Sequence, residues 1–185
     1  MGCQIIVLMV SVLAGVVATA ISIFVAALFF HAGVSKWRSP GAYRETVAAV
    51  LGERGVNHAV RCLAAIEVAV AMLVAFPASR VPGLLVSCAV LAGYAGVMAY
   101  QLRWGDANLR CGCSGLASDT RISSELVWRN LLLAGAALWA SSAAIAREAN
   151  GIGLAVGLAL VILVVYAALD QWVQNRQRWV RGVHT

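Results

Sequence analysis

The amino-acid sequence predicts an all-α fold, a polytopic membrane helical bundle with about five transmembrane helices. Hydrophobic residues make up 62% of the 185 residues, and charged residues make up only 12%. The mean hydropathy of +0.84 is too high for a soluble domain of this length. Several apolar runs also reach the roughly 20 residues that a helix needs to cross a bilayer. We therefore expect residues 1–185 to form a single integral membrane domain embedded in the lipid bilayer.

Five apolar segments account for the expected spans. They cover about residues 5–30, 59–76, 83–102, 126–145 and 152–169, and a polar tail follows from Asp170 to Thr185. The first run is longer than a perpendicular span requires, so its helix should tilt or emerge early from the hydrocarbon. A short turn between Pro77 and Pro82 makes the second and third spans an antiparallel hairpin. Gly93 and Gly96 would permit a close helix contact on the third span.

A polar, basic stretch after the first span predicts a short amphipathic helix in the membrane interface. Ser39-Pro40 can start this helix, because proline is favoured in a first helical turn. The helix should end near Gly52 or Gly55. Its apolar face is formed by Tyr43, Val47, Val50 and Leu51. For Lys36, just before this helix, the simplest interpretation is a snorkelling side chain whose ammonium reaches the interface.

Charge and cysteine content exclude two other classes of protein. The formal net charge is +6, but the basic residues lie in short loops beside apolar segments. They therefore report on membrane topology and do not indicate nucleic-acid binding. The five cysteines do not indicate a secreted disulfide scaffold, since a membrane bundle needs no such staples for its core.

The polar loop 103–125 carries the strongest chemical signal. Cys111 and Cys113 are separated only by Gly112, which suits a tight turn between two thiols. A disulfide across one residue closes a small, strained ring and should be easily reduced. Arg110 would favour the thiolate, the form that attacks disulfides or binds a soft metal. Redox chemistry is the first functional interpretation and metal binding is the second; the alternative to both is a pair of inert reduced thiols in a loop.

Ionisable residues inside the predicted spans form a second group of candidates. Glu67 lies near the middle of the second span, where a carboxylate costs a few kcal/mol. It should face the bundle interior with a partner or be protonated, and its alternative role is a hydrogen bond that holds helices together. Arg129, followed by Asn130, lies one turn inside the fourth span and could reach the cysteines or Glu67. If a third thiol takes part, Cys62 near the same end of the second span is within reach.

These positions together resemble the methylamine utilisation protein MauE family. The pattern is a lysine after the first span, a glutamate in the second, Cys-Gly-Cys-x-Gly, and Leu-Val-x-Arg-Asn at the start of the fourth. Within about residues 25–145 the matching positions are Lys36, Glu67, Cys111, Gly112, Cys113, Gly115, Leu126, Val127, Arg129 and Asn130. The family is grouped with the DoxX-like membrane proteins. It is similar in layout to the four-helix thiol oxidoreductases of the vitamin K epoxide reductase and DsbB types.

The resemblance implies a helper in making methylamine dehydrogenase during methylamine utilisation. MauE proteins are associated with the maturation, processing or export of the small (beta) subunit of that periplasmic enzyme, which carries many disulfides. A thioredoxin-like membrane-anchored protein, MauD, is the usual companion. These two proteins are the expected partners, and the bacterial inner membrane is the expected location. The implied architecture is a four-helix redox-type core plus one further helix.

Two classes of function stay open. In the first, the protein is a thiol-disulfide oxidoreductase in which Cys111 and Cys113 cycle between dithiol and disulfide, Arg129 stabilises the thiolate, and Glu67 handles a proton. The supporting residues are Arg110, Gly112, Lys36, Asn130 and Cys62. In the second class, the protein is a non-catalytic membrane chaperone or holds a soft ion such as Cu(I) on its thiols. The sequence itself assigns no cofactor and no metal site, and it leaves a quinone open as an electron acceptor.

Two arguments place the Cys-Gly-Cys loop on opposite sides of the membrane. Most basic residues share the side of this loop, against only Arg80 and Arg147 on the other side, which favours the cytoplasm. The chemistry favours the periplasm, because bacterial disulfides persist there while cytoplasmic thiols are kept reduced. We expect a periplasmic loop, since a redox partner must be reached where it resides.

Overall fold

The chain folds into a bundle of helices. The computed structural model describes residues 2–104, 122–146 and 152–182, and nearly all of these residues are helical. In order, the helices are α1 (Gly2–Arg38), α2 (Arg44–Leu51), α3 (Val56–Ala75), α4 (Arg80–Trp104), α5 (Ser124–Ala146) and α6 (Ile152–Gly182). The all-α membrane helical bundle expected from the sequence is confirmed.

Four helical segments in the described residues are long and apolar enough to cross a membrane. They are Met9–Arg38, Val56–Ala75, Pro77–Trp104 and Ile152–Arg176. The remaining predicted span corresponds to α5, whose 23 residues extend over about 34 Å. α5 differs from these four segments in carrying Arg129 and Asn130 within its first two turns. The bundle thus combines the four candidate spans with a fifth helix of similar length.

Two helices extend beyond the spans expected from the apolar runs. The first helix does not stop near residue 30 but continues to Arg38, so Lys36 lies inside α1. The helix ends at Arg38 because Ser39 precedes Pro40, and the residue before a proline disfavours the helical conformation. The last helix does not stop near residue 169 but continues to Gly182. No proline or glycine interrupts it after Asp170, so the predicted polar tail is largely helical.

The helix α1 lies in the middle of the bundle, where it contacts α3, α5 and α6. At one end of the bundle, Met98 near the end of α4 packs with Leu126 near the start of α5. At the same end, Arg176 of α6 binds Glu125 of α5. The finishing turns of α1, α4 and α6 therefore meet the first turns of α3 and α5. We call this the Lys36 end of the bundle.

The short helix α2 covers part of the Lys36 end. A 3-10 turn (Pro40–Tyr43) leads into α2, which ends at Gly52 with φ +80°. That φ value lies in the left-handed region, which favours glycine. Tyr43 is buried against Val56 and Val60 at the start of α3. The predicted amphipathic helix and its end at Gly52 are confirmed.

The closest helix crossings occur at two glycines. A Cβ atom added at Gly33 would lie 2.9 Å from the carbonyl oxygen of Ala64, and one added at Gly83 would lie 2.7 Å from backbone atoms of α3. At Gly93 and Gly96 an added Cβ would meet nothing within 4 Å. The expected close contact at these two residues is therefore wrong, because both lie on the exposed face of α4.

We predict opposite effects for the same substitution at two glycines of α4. Gly83→Ala should lower the free energy of unfolding by about 1–3 kcal/mol, because the methyl group collides with backbone that cannot yield. Gly96→Ala, the matched control, should leave stability unchanged or raise it by up to about 1 kcal/mol, since alanine favours helix. Denaturant titration of the purified protein in detergent measures both values. Equal stability of the two variants would contradict the proposed crossing.

Candidate functional site

A fully buried ion pair joins α1 to α3 at the Lys36 end. Lys36 Nζ donates hydrogen bonds to both carboxylate oxygens of Glu67, each at 2.9 Å. The two side chains are only 3% and 0% exposed. The snorkelling interpretation of Lys36 is wrong, because the carboxylate offers the ammonium a partner inside the bundle. The expectation that Glu67 faces the bundle interior with a partner is confirmed.

Two tyrosines complete the surroundings of this ion pair. The Tyr94 hydroxyl donates a hydrogen bond to Glu67 Oε1. The ammonium of Lys36 lies 5.1 Å from the ring centroid of Tyr43 and 5.9 Å from that of Tyr94. The Tyr43 hydroxyl shares a 2.7 Å hydrogen bond with the hydroxyl of Ser35. Cation–π contacts and hydrogen bonds thus hold both charged groups in place.

A cavity of about 420 Å³, which we call the Lys36 cavity, opens beside the ion pair between α2, α3 and α4. Its lining is largely apolar and includes Val47, Val50, Leu63, Ile66, Val97 and Met98. Lys36, Tyr94 and Gln101 contribute polar groups to the same wall. Gln101 is only 5% exposed, and its amide has no hydrogen-bond partner among the residues that the structure describes. The site therefore combines an apolar space with a few buried polar groups, as is typical of small-molecule sites.

A second buried ion pair joins α5 to α6. Arg129 donates a hydrogen bond from Nη1 to Asp170 Oδ1 at 2.6 Å, and Asp170 is 3% exposed. The other carboxylate oxygen of Asp170 accepts a 3.2 Å hydrogen bond from Gln174. The guanidinium of Arg129 also lies 5.4 Å from the ring centroid of Tyr166. Arg129 therefore finds its partner on the last helix.

The two ion pairs are neighbours but remain separate. A small cavity of about 10 Å³ is bordered by Glu67 and Tyr94 on one side and by Asn130 and Tyr166, the neighbours of Arg129, on the other. Its volume is close to that of a single water site. Asn130 is buried, and its side chain donates to the Leu126 carbonyl at 2.9 Å. Of the two groups that Arg129 was expected to reach, Glu67 is not its partner, because Arg129 pairs with Asp170. The cysteines lie outside the described residues, so that alternative stays a prediction.

The predicted cysteine motif lies outside the described residues, together with Arg110 and Gly112. The described residues on either side are Trp104, which ends α4, and Ile122, which precedes α5. Both belong to the Lys36 end, and Ile122 lines the Lys36 cavity. Cys62 on α3 is reduced and exposed, and it lines the same cavity. Within the described part of the chain, no three His, Cys, Asp or Glu side chains gather into a metal site.

Sequence reasoning missed three residues of this region. Tyr94 and Gln101 stand alone in a largely apolar helix, and no local pattern distinguishes them from ordinary residues of a span. Asp170 was assigned to a polar tail that the structure shows to be helical. Charge complementarity could have identified Asp170, since an intramembrane arginine needs an acidic partner.

The arrangement around Glu67 is suited to proton handling. An ammonium, a carboxylate and a phenol form one hydrogen-bonded group beside an apolar cavity. Carboxylates and tyrosines are established general acids and bases, and hydrogen-bonded chains of such groups can pass protons. The group can therefore exchange a proton with a ligand in the Lys36 cavity.

Breaking the buried ion pair should cost far more than breaking an exposed one. We predict that Glu67→Gln lowers the free energy of unfolding by about 3–5 kcal/mol, because Lys36 keeps a buried charge without its counterion. The matched control is Glu53→Gln, which breaks a 3.2 Å pair with Arg44 whose side chains are 75% and 53% exposed. It should cost less than about 1 kcal/mol. Unfolding in detergent measures both, and similar costs would mean that the Lys36–Glu67 pair is solvated.

Comparison with known proteins identifies the family. A family model described as methylamine utilisation protein MauE matches residues 8–143, which is most of the chain. The match includes Lys36, Glu67, Arg129 and Asn130 and stops before α6. Neither the curated proteins nor the solved structures gave a match. Membership of this family implies a part in methylamine utilisation. The chain therefore belongs to the MauE family of methylamine utilisation proteins.

Proposed function

We propose that this MauE family member is a membrane thiol-disulfide redox protein that assists the maturation, processing or export of a periplasmic client. One observation carries the proposal: the buried Lys36–Glu67–Tyr94 group borders a cavity at the bundle end where the described neighbours of the Cys-Gly-Cys segment lie. Ionisable groups inside a membrane bundle are costly and mark functional sites. The two cysteines supply the redox chemistry, and the buried group supplies proton transfer.

The redox step proposed for Cys111 and Cys113 is thiol-disulfide exchange. A client thiolate attacks one sulfur of the Cys111–Cys113 disulfide and forms a mixed disulfide. A second client thiolate then attacks the client sulfur of this mixed disulfide, so the client gains a disulfide and the protein is left with two thiols. The client has lost two electrons and two protons, and the protein has gained them. The small ring favours this direction, because strain makes the protein disulfide more oxidising.

The reduced pair must then be oxidised again, and we propose a quinone as the acceptor. Two electrons and two protons pass from the two thiols to the quinone, which leaves as a quinol while the Cys111–Cys113 disulfide forms. Glu67 handles the released protons as a general base. Lys36 supports it by holding the carboxylate in place inside the bundle. In this scheme the protein is an electron conduit between client and membrane.

Thiolate stabilisation falls mainly to Arg110 in this proposal. Arg110 is adjacent to Cys111 in sequence, and a neighbouring guanidinium favours the thiolate. Arg129 holds Asp170 at 2.6 Å, so it would have to give up this partner to bind a thiolate. Asn130, fixed to the α5 backbone, supports the position of Arg129. Cys62, exposed at the Lys36 cavity, is the candidate for a third thiol.

The proposed client is the small subunit of methylamine dehydrogenase, and the proposed redox partner is a thioredoxin-like, membrane-anchored protein of the MauD type. Both follow from the methylamine utilisation context of the family. A periplasmic subunit with many disulfides needs an oxidant on its own side of the membrane. We therefore propose the bacterial inner membrane as the location, with the Cys-Gly-Cys segment facing the periplasm.

Burial of Lys36 weakens the charge argument for the opposite orientation. The positive-inside rule counts lysines and arginines in loops near the ends of the spans. Lys36 lies within α1, is 2% exposed, and is paired with Glu67, so it does not belong in that count. The cationic excess at the Lys36 end is therefore smaller than the sequence count suggests.

A trapping experiment tests the proposed redox function. The wild-type membrane protein should oxidise the reduced small subunit of methylamine dehydrogenase. The variants Cys111→Ser and Cys113→Ser should not oxidise it, because neither can form the Cys111–Cys113 disulfide. When mixed with the oxidised subunit instead, one of the two variants should accumulate a mixed disulfide, because its single thiolate attacks a subunit disulfide and the second protein thiol that would release the adduct is missing. Non-reducing electrophoresis and mass spectrometry of the adduct measure the outcome.

Cys88→Ser is the control, because Cys88 packs beside the apolar core and should not affect oxidation. If both serine variants oxidise the subunit as fast as the wild type, the proposed redox role is wrong. Stoichiometric Cu(I) binding by the cysteine pair without any oxidation of the subunit would favour the metal-handling alternative.

Labelling of the cysteine pair decides the side of the membrane. We predict that a membrane-impermeant maleimide labels Cys111 or Cys113 on intact spheroplasts after mild reduction, because the loop faces the periplasm. The experiment uses the full chain with Cys3, Cys62 and Cys88 changed to serine, so that only the pair can react. Labelling that requires lysis would place the loop in the cytoplasm, as the basic-residue count favours.

A further inference from the structure

We propose that the Lys36 cavity is the binding site of a membrane-soluble quinone, which enters from the lipid between α3 and α4. The redox role of this quinone rests on the proposed function. Its binding rests only on the geometry of the cavity and can be measured separately.

The size and lining of the cavity suit a mostly apolar ligand. Its volume of about 420 Å³ falls within the roughly 300–1,000 Å³ of small-molecule sites. Aliphatic side chains such as Val47, Leu63 and Val97 form most of the wall. A water-soluble polar metabolite would lose its hydration there without replacement. The occupant therefore has a large apolar part and a small polar part.

The opening of the cavity faces sideways from the bundle. Ile66 on α3 and Val97 on α4 both line the cavity and are 49% and 38% exposed. Both residues lie within helices that are apolar enough to span a membrane. The exposed surface of such helices faces hydrocarbon. A ligand dissolved in the bilayer can thus enter without crossing water.

The charge balance of the cavity favours an uncharged polar group on the ligand. Glu67 matches the charge of Lys36, and no other Lys, Arg or His of the described chain lines the cavity. An anionic lipid head group would therefore remain without a counterion, which is costly away from water. An ammonium has three N–H donors, and Glu67 accepts two. The third is suited to a neutral acceptor such as a carbonyl oxygen.

Gln101 provides a second, independent indication of a ligand. Its side chain lines the cavity, and the residue is only 5% exposed. The side-chain amide makes no hydrogen bond to the described residues. The amide is open to the cavity, so an acceptor atom on a ligand can bind it there in place of water. Gln101 follows Tyr94, the neighbour of Lys36, by about two turns of α4, or roughly 10 Å along the axis.

The separation of these donors selects among apolar ligands. Lys36 and Gln101 present hydrogen-bond donors at two distant points of one cavity. A fatty alcohol or a phospholipid carries its polar atoms at one end only. A quinone carries two carbonyl oxygens at opposite edges of a flat ring, with an apolar chain attached. We therefore assign one carbonyl to Lys36 and the other to Gln101.

Binding in the Lys36 cavity would complete the proposed electron transfer. The quinone takes two electrons and two protons from the Cys111–Cys113 dithiol, one S–S bond forms, and two O–H bonds convert the quinone to a quinol. Lys36 donates a proton to the carbonyl that it binds, and Glu67, after it has taken a proton from a thiol as a general base, returns one to Lys36 across their hydrogen bond.

The test measures binding of decylubiquinone to the full-length protein in nanodiscs. Ile66→Trp should block the opening, and Gln101→Leu should remove one donor, so each should weaken binding at least tenfold. Met72→Trp is the matched control for Ile66→Trp, because Met72 is 48% exposed on the same helix and does not line the cavity. It should leave the affinity unchanged. Gln101→Leu should also retain the thermal stability of the wild type, because it removes an amide that has no partner.

Three results would overturn the assignment. The first is the absence of saturable binding, and the second is unchanged affinity in both Ile66→Trp and Gln101→Leu. The third is equal competition by decanol, which would mean that the cavity takes any apolar chain from the lipid.

The same binding assay on the Cys111→Ser/Cys113→Ser double variant separates this proposal from the redox function. The double variant should bind decylubiquinone like the wild type, since the cysteines are not assigned to the cavity. Quinone binding without oxidation of the wild-type dithiol would contradict the redox function and leave the site intact. Oxidation of the dithiol by a soluble oxidant, with no quinone binding, would contradict the site alone.

Discussion

The buried contact between Lys36 and Glu67 sets the geometry of the whole Lys36 end. An ammonium and a carboxylate withdrawn from water are tolerable only when they stay together. Their 2.9 Å contacts therefore fix the depth at which α1 crosses α3. Gly33, one turn before Lys36, allows the two backbones to approach closely enough. The segment between the two helices must then fold over the same end, where α2 forms one wall of the cavity. Helix packing and the candidate site thus depend on one interaction.

The sequence predicted the helices well and some of their ends poorly. Apolar runs report where a chain can contact lipid, and they say little about where a helix stops. The first and last helices continue into polar sequence, because no proline interrupts the first before Pro40 and neither proline nor glycine interrupts the last between Asp170 and Gly182. The burial of Lys36 could not be read from its own neighbourhood. It depends on a carboxylate that lies 31 residues further along the chain.

The candidate site shows the same division between local and distant information. The interior position of Glu67 was predictable, since a carboxylate in the middle of a span has few other places to go. Tyr94 and Gln101 were not predictable, because a single polar residue in an apolar helix has no periodic signature. Asp170 looked like the start of a tail, and its role emerges only when α6 packs beside Arg129. The chemistry proposed for Cys111 and Cys113 stays a prediction from their spacing.

The two ion pairs have a consequence for biosynthesis, because each joins helices that leave the ribosome at different times. Lys36 is made 31 residues before Glu67, and Arg129 is made 41 residues before Asp170. A cation inside a membrane helix costs free energy while it lacks its counterion, up to roughly 2.5–3.5 kcal/mol at the centre of the hydrocarbon on insertion scales. Both α1 and α5 therefore carry this free-energy cost in the bilayer until the helix with the partner carboxylate has been inserted. α6 lies beyond the residues that match the family model, and its insertion would complete the second ion pair by supplying Asp170. A nascent chain that ends before it would expose Arg129 as a mark of incomplete assembly, readable by membrane quality control.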